Sequence, residues 1–237
     1  MNLGYQVRIT DRDWFQSQSL FLFSHWPPLL CRFESFLVVW YDYAMEDKIQ
    51  ALREFIQVKA ASKEFVHHKW FAHWHLELVE KISLQLHAHY PDADQDIIRV
   101  MAWLHDYGKI IDFDNQHDHK YVDEGKNILL NLGFNEHFAQ EVADNIKRHD
   151  SKLNIDQANI ETQIVSSSDG CSHLVGPFIS LYWWENPGKS LEAIMEENAR
   201  KLRVDWDKKV TLPEARSAYK ALHDSEFNKS QGVIPVL

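Results

Sequence analysis

From Met45 onward the chain is written in helical periods. Residues 45–65, MEDKIQALREFIQVKAASKEF, interleave apolar and charged positions in the manner of an amphipathic helix. Residues 63–90 place Phe71, His75, Leu78, Ile82 and Leu86 at steps of 4, 3, 4 and 4, which predicts a single helix face. The YPDAD stretch at 90–94 ends that run. Asp94 is a candidate N-cap for the next helix, which carries Ile97, Met101 and Leu104 and ends near His105. Residues 112–119, DFDNQHDH, read as a polar loop, and a helix over 120–131 is predicted to stop at Gly133. Two further helices are predicted: 136–149, with Val142, Ile146 and His149 on one side, and 158–170, with Val165 and Asp169 one turn apart. After a break at NPG, 186–188, two more cover 189–205 and 213–224. With no internal repeat, glycine-rich phosphate loop or alternating strand pattern, the pattern predicts an all-α domain.

Residues 1–44 do not share this period. They are rich in Trp, Phe and Leu and carry Pro27-Pro28. Three readings stand for them: an accessory element on the main domain, a disordered segment, or a stretch that is not translated, with Met45 as initiator. The expected division is therefore 1–44 and a helical domain over 45–237. The most apolar part of 1–44 is broken by prolines, Arg32 and Glu34 and falls short of the ~20 clean apolar residues of a membrane span. It lacks the charged start and the small-residue cleavage site of a secretory signal.

Composition narrows the function classes. Hydrophobic residues make up 45% of the chain, enough for a sizeable core. The net charge of -10 argues against general nucleic-acid binding, which needs a basic surface. A nucleotide ligand stays open, because a metal can supply local positive charge in an acidic protein. The only cysteines, Cys31 and Cys171, give neither a disulfide framework nor a CxxC metal site, so a reducing, cytoplasmic setting is expected. Abundant Trp and Phe leave a homodimer open.

The chain has 14 histidines, and three of them share an unusual placement. His75, His105 and His149 each lie on, or at the end of, the apolar stripe of a predicted helix, and so does Asp169. His105 is followed directly by Asp106 in WLHDYGKI. A buried ionisable group is costly unless it is paired or bound to a metal. Helix bundles commonly build metal sites from side chains on facing helices.

These residues resemble the HD-domain metal-dependent phosphohydrolases. That family's pattern is a His on one helix, an adjacent His-Asp at the end of a later helix, and a distant Asp. Here HWHLELVEKI supplies His75, WLHDYGK supplies His105 and Asp106, and SSSDG supplies Asp169. The resemblance covers about residues 60–180 and implies a helical bundle with a metal site in its core. His75, His105, Asp106 and Asp169 would hold the metal. It further implies that His149 and either His117 or His119, with His117 preferred, serve a second metal or the substrate phosphate. DWDKKVTLPEARSAY resembles the tail of some members, so that Arg216 or Lys209 could turn back toward the site.

The chemistry implied is hydrolysis. Imidazoles and carboxylates together suit one or two divalent ions, Mn, Fe, Co, Ni, Zn or Mg. Such an ion lowers the pKa of bound water and polarises a phosphoryl oxygen. No Ser or Cys stands in a recognisable nucleophile setting, so metal-bound water attacking phosphorus is expected. Asp106 and Lys109 are the candidate catalytic residues. Arg148, Lys152 and Arg216 are candidate phosphate contacts, and His173, one turn beyond Asp169, could support the ligands from behind. The expected substrate is a small phosphorylated molecule, a nucleotide first. Two alternatives are a non-catalytic nucleotide-sensing HD module and an HD-fold di-iron oxygenase.

Overall fold

Helix α1, Phe33–Ala60, begins before Met45, and its second half carries the stripe that the sequence predicts. Met45, Ile49, Leu52, Ile56 and Ala60 recur at helical spacing and are buried. The protein is seen in a computed structural model that describes residues 33–151 and 154–233, with side chains from residue 44 onward. Among the described residues, those from Trp40 onward form one compact unit. The three readings of 1–44 therefore fall largely outside the described residues.

The single helix expected over 63–90 does not form. Residues 61–70 are turns, and Ala72–Leu76 wind as a π-turn in which the Glu77 N–H bonds back to the Ala72 carbonyl. A π-turn takes up one extra residue, which rotates the face that follows. Val79 is therefore buried with Ile82 and Leu86 in α2, Glu77–His87, while Leu78 is only half-buried.

Asp94 caps α3, Gln95–Leu104, as predicted, accepting from the Asp96 and Ile97 N–H groups at 2.9 and 3.1 Å. The backbone then breaks at Asp106 and restarts as the short α4, Tyr107–Ile111. Helix α5, Lys120–Asn131, closes on Gly133 at φ +83°. There the Gly133 and Phe134 N–H groups bond to the Leu130 and Leu129 carbonyls, the αL termination that glycine favours.

Helices α6, Glu136–Ser151, and α7, Ile160–Ser172, follow. Helix α7 is the centre of the bundle. It packs on α2, α3 and α6, and on α9, Leu191–Lys208, and α10, Pro213–Ser230. It can do so because Ser166, Ser167, Ser168, Gly170, Cys171 and Ser172 are small, and all are buried. Ser167 also fixes the α9–α10 turn. Its hydroxyl donates to the Lys209 carbonyl and accepts from the Thr211 and Leu212 N–H groups. A Cβ on Gly170 would come within 2.8 Å of Val210, so glycine permits this close approach.

Helix α8, Phe178–Glu185, was not predicted, because it is apolar on every side and carries no stripe. The described residues are all helix, turn and loop, and no described helix is long and apolar enough to cross a membrane.

One buried carboxylate ties the first helices together. Glu80 of α2 accepts from Arg53 of α1, from Arg99 of α3 at 3.4 Å and from the Trp103 indole at 2.7 Å. Truncating Glu80 would leave two guanidinium groups and an indole N–H without their shared acceptor. Glu80→Ala should therefore cost about 3 kcal/mol, the lower end for breaking a buried pair. A urea midpoint equal to wild type would show that the clamp contributes nothing.

Candidate metal centre

The break in the backbone between α3 and α4 aims the His-Asp pair inward. The His105 N–H still bonds to the Met101 carbonyl, whereas Asp106 leaves helical geometry at φ -109° and ψ 19°. Gly108 lies within α4, and a Cβ there would strike the Gln116 carbonyl and Tyr121. Its role is to let the 112–119 loop close over α4.

His75 arrives from the π-turn and Asp169 from α7. His75 Nε2 lies 3.1 Å from Asp106 Oδ2 and 3.7 Å from Asp169 Oδ1, and His105 Nε2 lies 3.5 Å from Asp106 Oδ2. Two overlapping sets converge: His75, His105 and Asp106, and His75, Asp169 and His173. Within each set the ligand atoms lie within 4.8 Å of one another.

The hydrogen bonds behind these residues set the tautomers. His105 Nδ1 donates to the Ala102 carbonyl at 3.0 Å, which leaves Nε2 bare, buried and without a hydrogen-bond partner. The Ser172 hydroxyl gives its one proton to the Asp169 carbonyl at 2.8 Å. It can then accept from His75 Nδ1 at 3.1 Å, while His75 Nε2 lies within hydrogen-bond distance of Asp106 Oδ2 at 3.1 Å. Burial pushes His75 down to about 4, against the pull of Asp106 and Asp169, and it also lowers His105. Burial alone would raise Asp106, but Lys109, His105 and His75 outweigh it and hold the carboxyl well below the usual range. For Asp169 burial is likewise overcome, by Lys209, His149 and His173. Buried imidazoles beside ionised carboxylates, with His105 Nε2 lacking any hydrogen-bond partner, form the donor set of a divalent cation. The residues present fit a metal.

The remaining candidates divide. Lys109 Nζ pairs with Asp106 Oδ2 at 2.5 Å and lines the cavity above the centre. His149 is buried with both ring nitrogens lacking hydrogen-bond partners, and its Nε2 lies 3.5 Å from Asp169 Oδ2. His117 lines the same cavity from the exposed loop, whereas His119 stands at the start of α5 and does not line it. Arg148 donates to the Asn154 carbonyl and is not part of the cavity wall. Arg216 is not brought to the centre either. It donates to the Trp206 carbonyl, lies over the Trp206 ring and lines a separate cavity of about 460 Å³. Lys152 lies outside the described residues.

Lys209, the other tail candidate, is buried and pairs with Asp169. Sequence reasoning missed Asp205 and Lys201, which reach the centre on the same face of α9. Their only signal was the i, i+4 spacing of Lys201, Asp205 and Lys209, which a solvated helix face shows equally well.

The cavity holds about 820 Å³. Trp70, Phe71, Phe113, Phe178 and Tyr182 supply an aromatic wall. Lys109, Lys189, Arg200, Lys201 and Lys209 supply positive charge within a chain of net charge -10. Glu185 of α8 holds the wall together, accepting from the Trp70 indole at 2.7 Å and bonding His67 Nδ1 at 2.6 Å.

Residues 74–174 match the family model of the HD domain, a span that contains His75, His105, Asp106, His149, Asp169 and His173. No curated protein and no solved structure gives a significant match to the chain.

The buried histidines make the metal-free protein sensitive to acid. His75 and His173 titrate near 4 in the folded chain against 6.5 when free, and His105 is lowered too. A lowered imidazole pKa means that the unfolded state binds more protons between those values, so stability falls as pH falls from 6.5 toward 4. His149 is shifted the other way, Asp150 and Asp169 outweighing its burial, and offsets part of this. Metal-free protein should show a lower urea midpoint near pH ~5 than near pH ~7. An unchanged or higher midpoint would contradict the neutral-imidazole assignment.

Proposed function

We propose that this HD-domain chain is a metal-dependent hydrolase that cleaves a phosphate ester or phosphoanhydride bond in a small molecule, a nucleotide in our reading. The observation that carries it is the convergence of His75, His105, Asp106 and Asp169, with the buried His105 Nε2 lacking a hydrogen-bond partner, beneath a cavity lined by cationic and aromatic side chains. When bound, a divalent metal polarises a phosphoryl oxygen and lowers the pKa of water.

The chain's own residues divide the remaining work. His75, His105, Asp106 and Asp169 hold the ion. Asp106 is kept ionised, which suits it to ligation rather than to taking up a proton. Lys109 gives one ammonium N–H to Asp106 and has further N–H donors for a phosphate oxygen, stabilising charge that develops in the transition state. His149 and His117 face the cavity, where each can meet phosphate or a second ion. The aromatic wall supports a substrate with a flat apolar part, since base–aromatic stacking is worth about 1–3 kcal/mol per base. Cys171 is no competing nucleophile: burial, with Asp169 adding to it, pushes its thiol up to about 12.

Elemental analysis of purified protein, with a phosphate-release screen over nucleotides on the metal-loaded sample, tests this reading. Bound metal with phosphate release is expected, and His105→Ala should lose both while keeping its helical circular dichroism. Bound metal with tight nucleotide binding and no release would instead mark a sensing module. Iron with oxygen consumption would mark an oxygenase, and failure to take up any metal would contradict the proposal outright.

A further inference from the structure

His173 lies outside the four ligands read from the HD pattern, yet its surroundings resemble those of His75. It ends α7 one turn beyond Asp169 and is buried. Its ring stacks on His75 with centroids 5.2 Å apart and planes 4° apart. Its Nε2 lies 3.5 Å from Asp169 Oδ1, the same oxygen that His75 Nε2 approaches at 3.7 Å.

Asp205 decides which ring nitrogen carries the proton. It is buried, accepts from Lys201 Nζ at 2.5 Å and has Lys209 Nζ at 3.8 Å, so it is an ionised acceptor. His173 Nδ1 lies 2.8 Å from Asp205 Oδ2 and therefore donates to it. Lys201 Nζ also lies 3.1 Å from Nδ1. Were Lys201 to donate to that nitrogen, Nδ1 and a carboxylate oxygen would be left as bare acceptors in contact. With the proton on Nδ1, Nε2 presents a lone pair. Asp169 Oδ1 then has the His173 lone pair at 3.5 Å and His75 Nε2 at 3.7 Å, three potential ligand atoms that a cation would bring into a favourable arrangement. A metal-binding imidazole commonly has this kind of carboxylate behind it, fixing tautomer and orientation.

We propose that His173 is a further ligand of the bound metal and that Asp205, reaching in from α9, is its positioning residue. The proposal rests on the metal-centre reading above. It extends the centre beyond the HD pair and recruits α9 to it. Lys201, by pairing with Asp205, keeps that carboxylate ionised beside the imidazole.

The test uses the full chain loaded with Co2+, read by its visible absorption and by competition with a chromophoric chelator. His173→Asn retains a side-chain N–H for Asp205 but removes Nε2, so it separates ligation from packing. It should weaken Co2+ binding by about 10-fold or more and change the absorption bands. Asp205→Asn should weaken binding by about 10–100-fold, the usual effect of losing the group behind a metal-bound imidazole. His105→Ala, which should lose Co2+ altogether, controls for the reading itself. If it loses Co2+ while His173→Asn keeps wild-type affinity and bands, the ligand role of His173 is overturned and the metal centre stands. Wild-type protein that takes up no Co2+ would overturn both.

Discussion

The arrangement turns on a single conflict: the Asp106 and Asp169 carboxylates converge on one buried imidazole. His75 Nε2 lies 3.1 Å from Asp106 Oδ2 and 3.7 Å from Asp169 Oδ1, and its Nδ1 lies 3.1 Å from the Ser172 hydroxyl. Such a contact is unfavourable in a water-excluded core unless positive charge is present. Lys109 and Lys209 supply that charge in this structure, each paired with one of the two carboxylates. A divalent ion would supply more of it at the point where the lone pairs converge. The same conflict accounts for the shape of α7. Bringing α2, α3, α6 and α9 to one carboxylate requires a helix of small side chains, which is why serines, a glycine and a cysteine fill positions that apolar residues would otherwise take.

Charge distribution follows from this centre. The protein is acidic as a whole, yet five lysine and arginine side chains gather on one cavity wall. Asp106, Asp150 and Glu185 line the same cavity, and the cations offset their charge there. The aromatic side chains give the cavity a second, apolar character beside its charged groups. Helix α8 belongs to that wall, and its lack of a buried face reflects a helix laid over a cavity rather than into the core.

Much of this was legible in the sequence, for a physical reason. His75, His105 and Asp169 each ride an apolar stripe, and a polar residue on such a stripe is conspicuous. The Asp94 cap and the Gly133 stop follow local rules that tertiary context left intact. Other features had no local signal. The π-turn at Ala72–Leu76 shifts the phase of the stripe, so Val79 is buried where Leu78 was expected. Helix α8 has no stripe to read. The tail was ambiguous because Lys209 and Arg216 are both cations near the chain's end. Only packing sends Lys209 to Asp169 and Arg216 to Trp206. Asp205 and Lys201 were hidden in a charge ladder that looks like any exposed helix.

The most direct test of the metal centre is anomalous diffraction from crystals soaked in Mn2+. The account predicts an anomalous peak among His75, His105, Asp106 and Asp169, within coordination distance of their ring nitrogens and carboxylate oxygens. A peak elsewhere, or no peak with those four side chains well ordered, would contradict it.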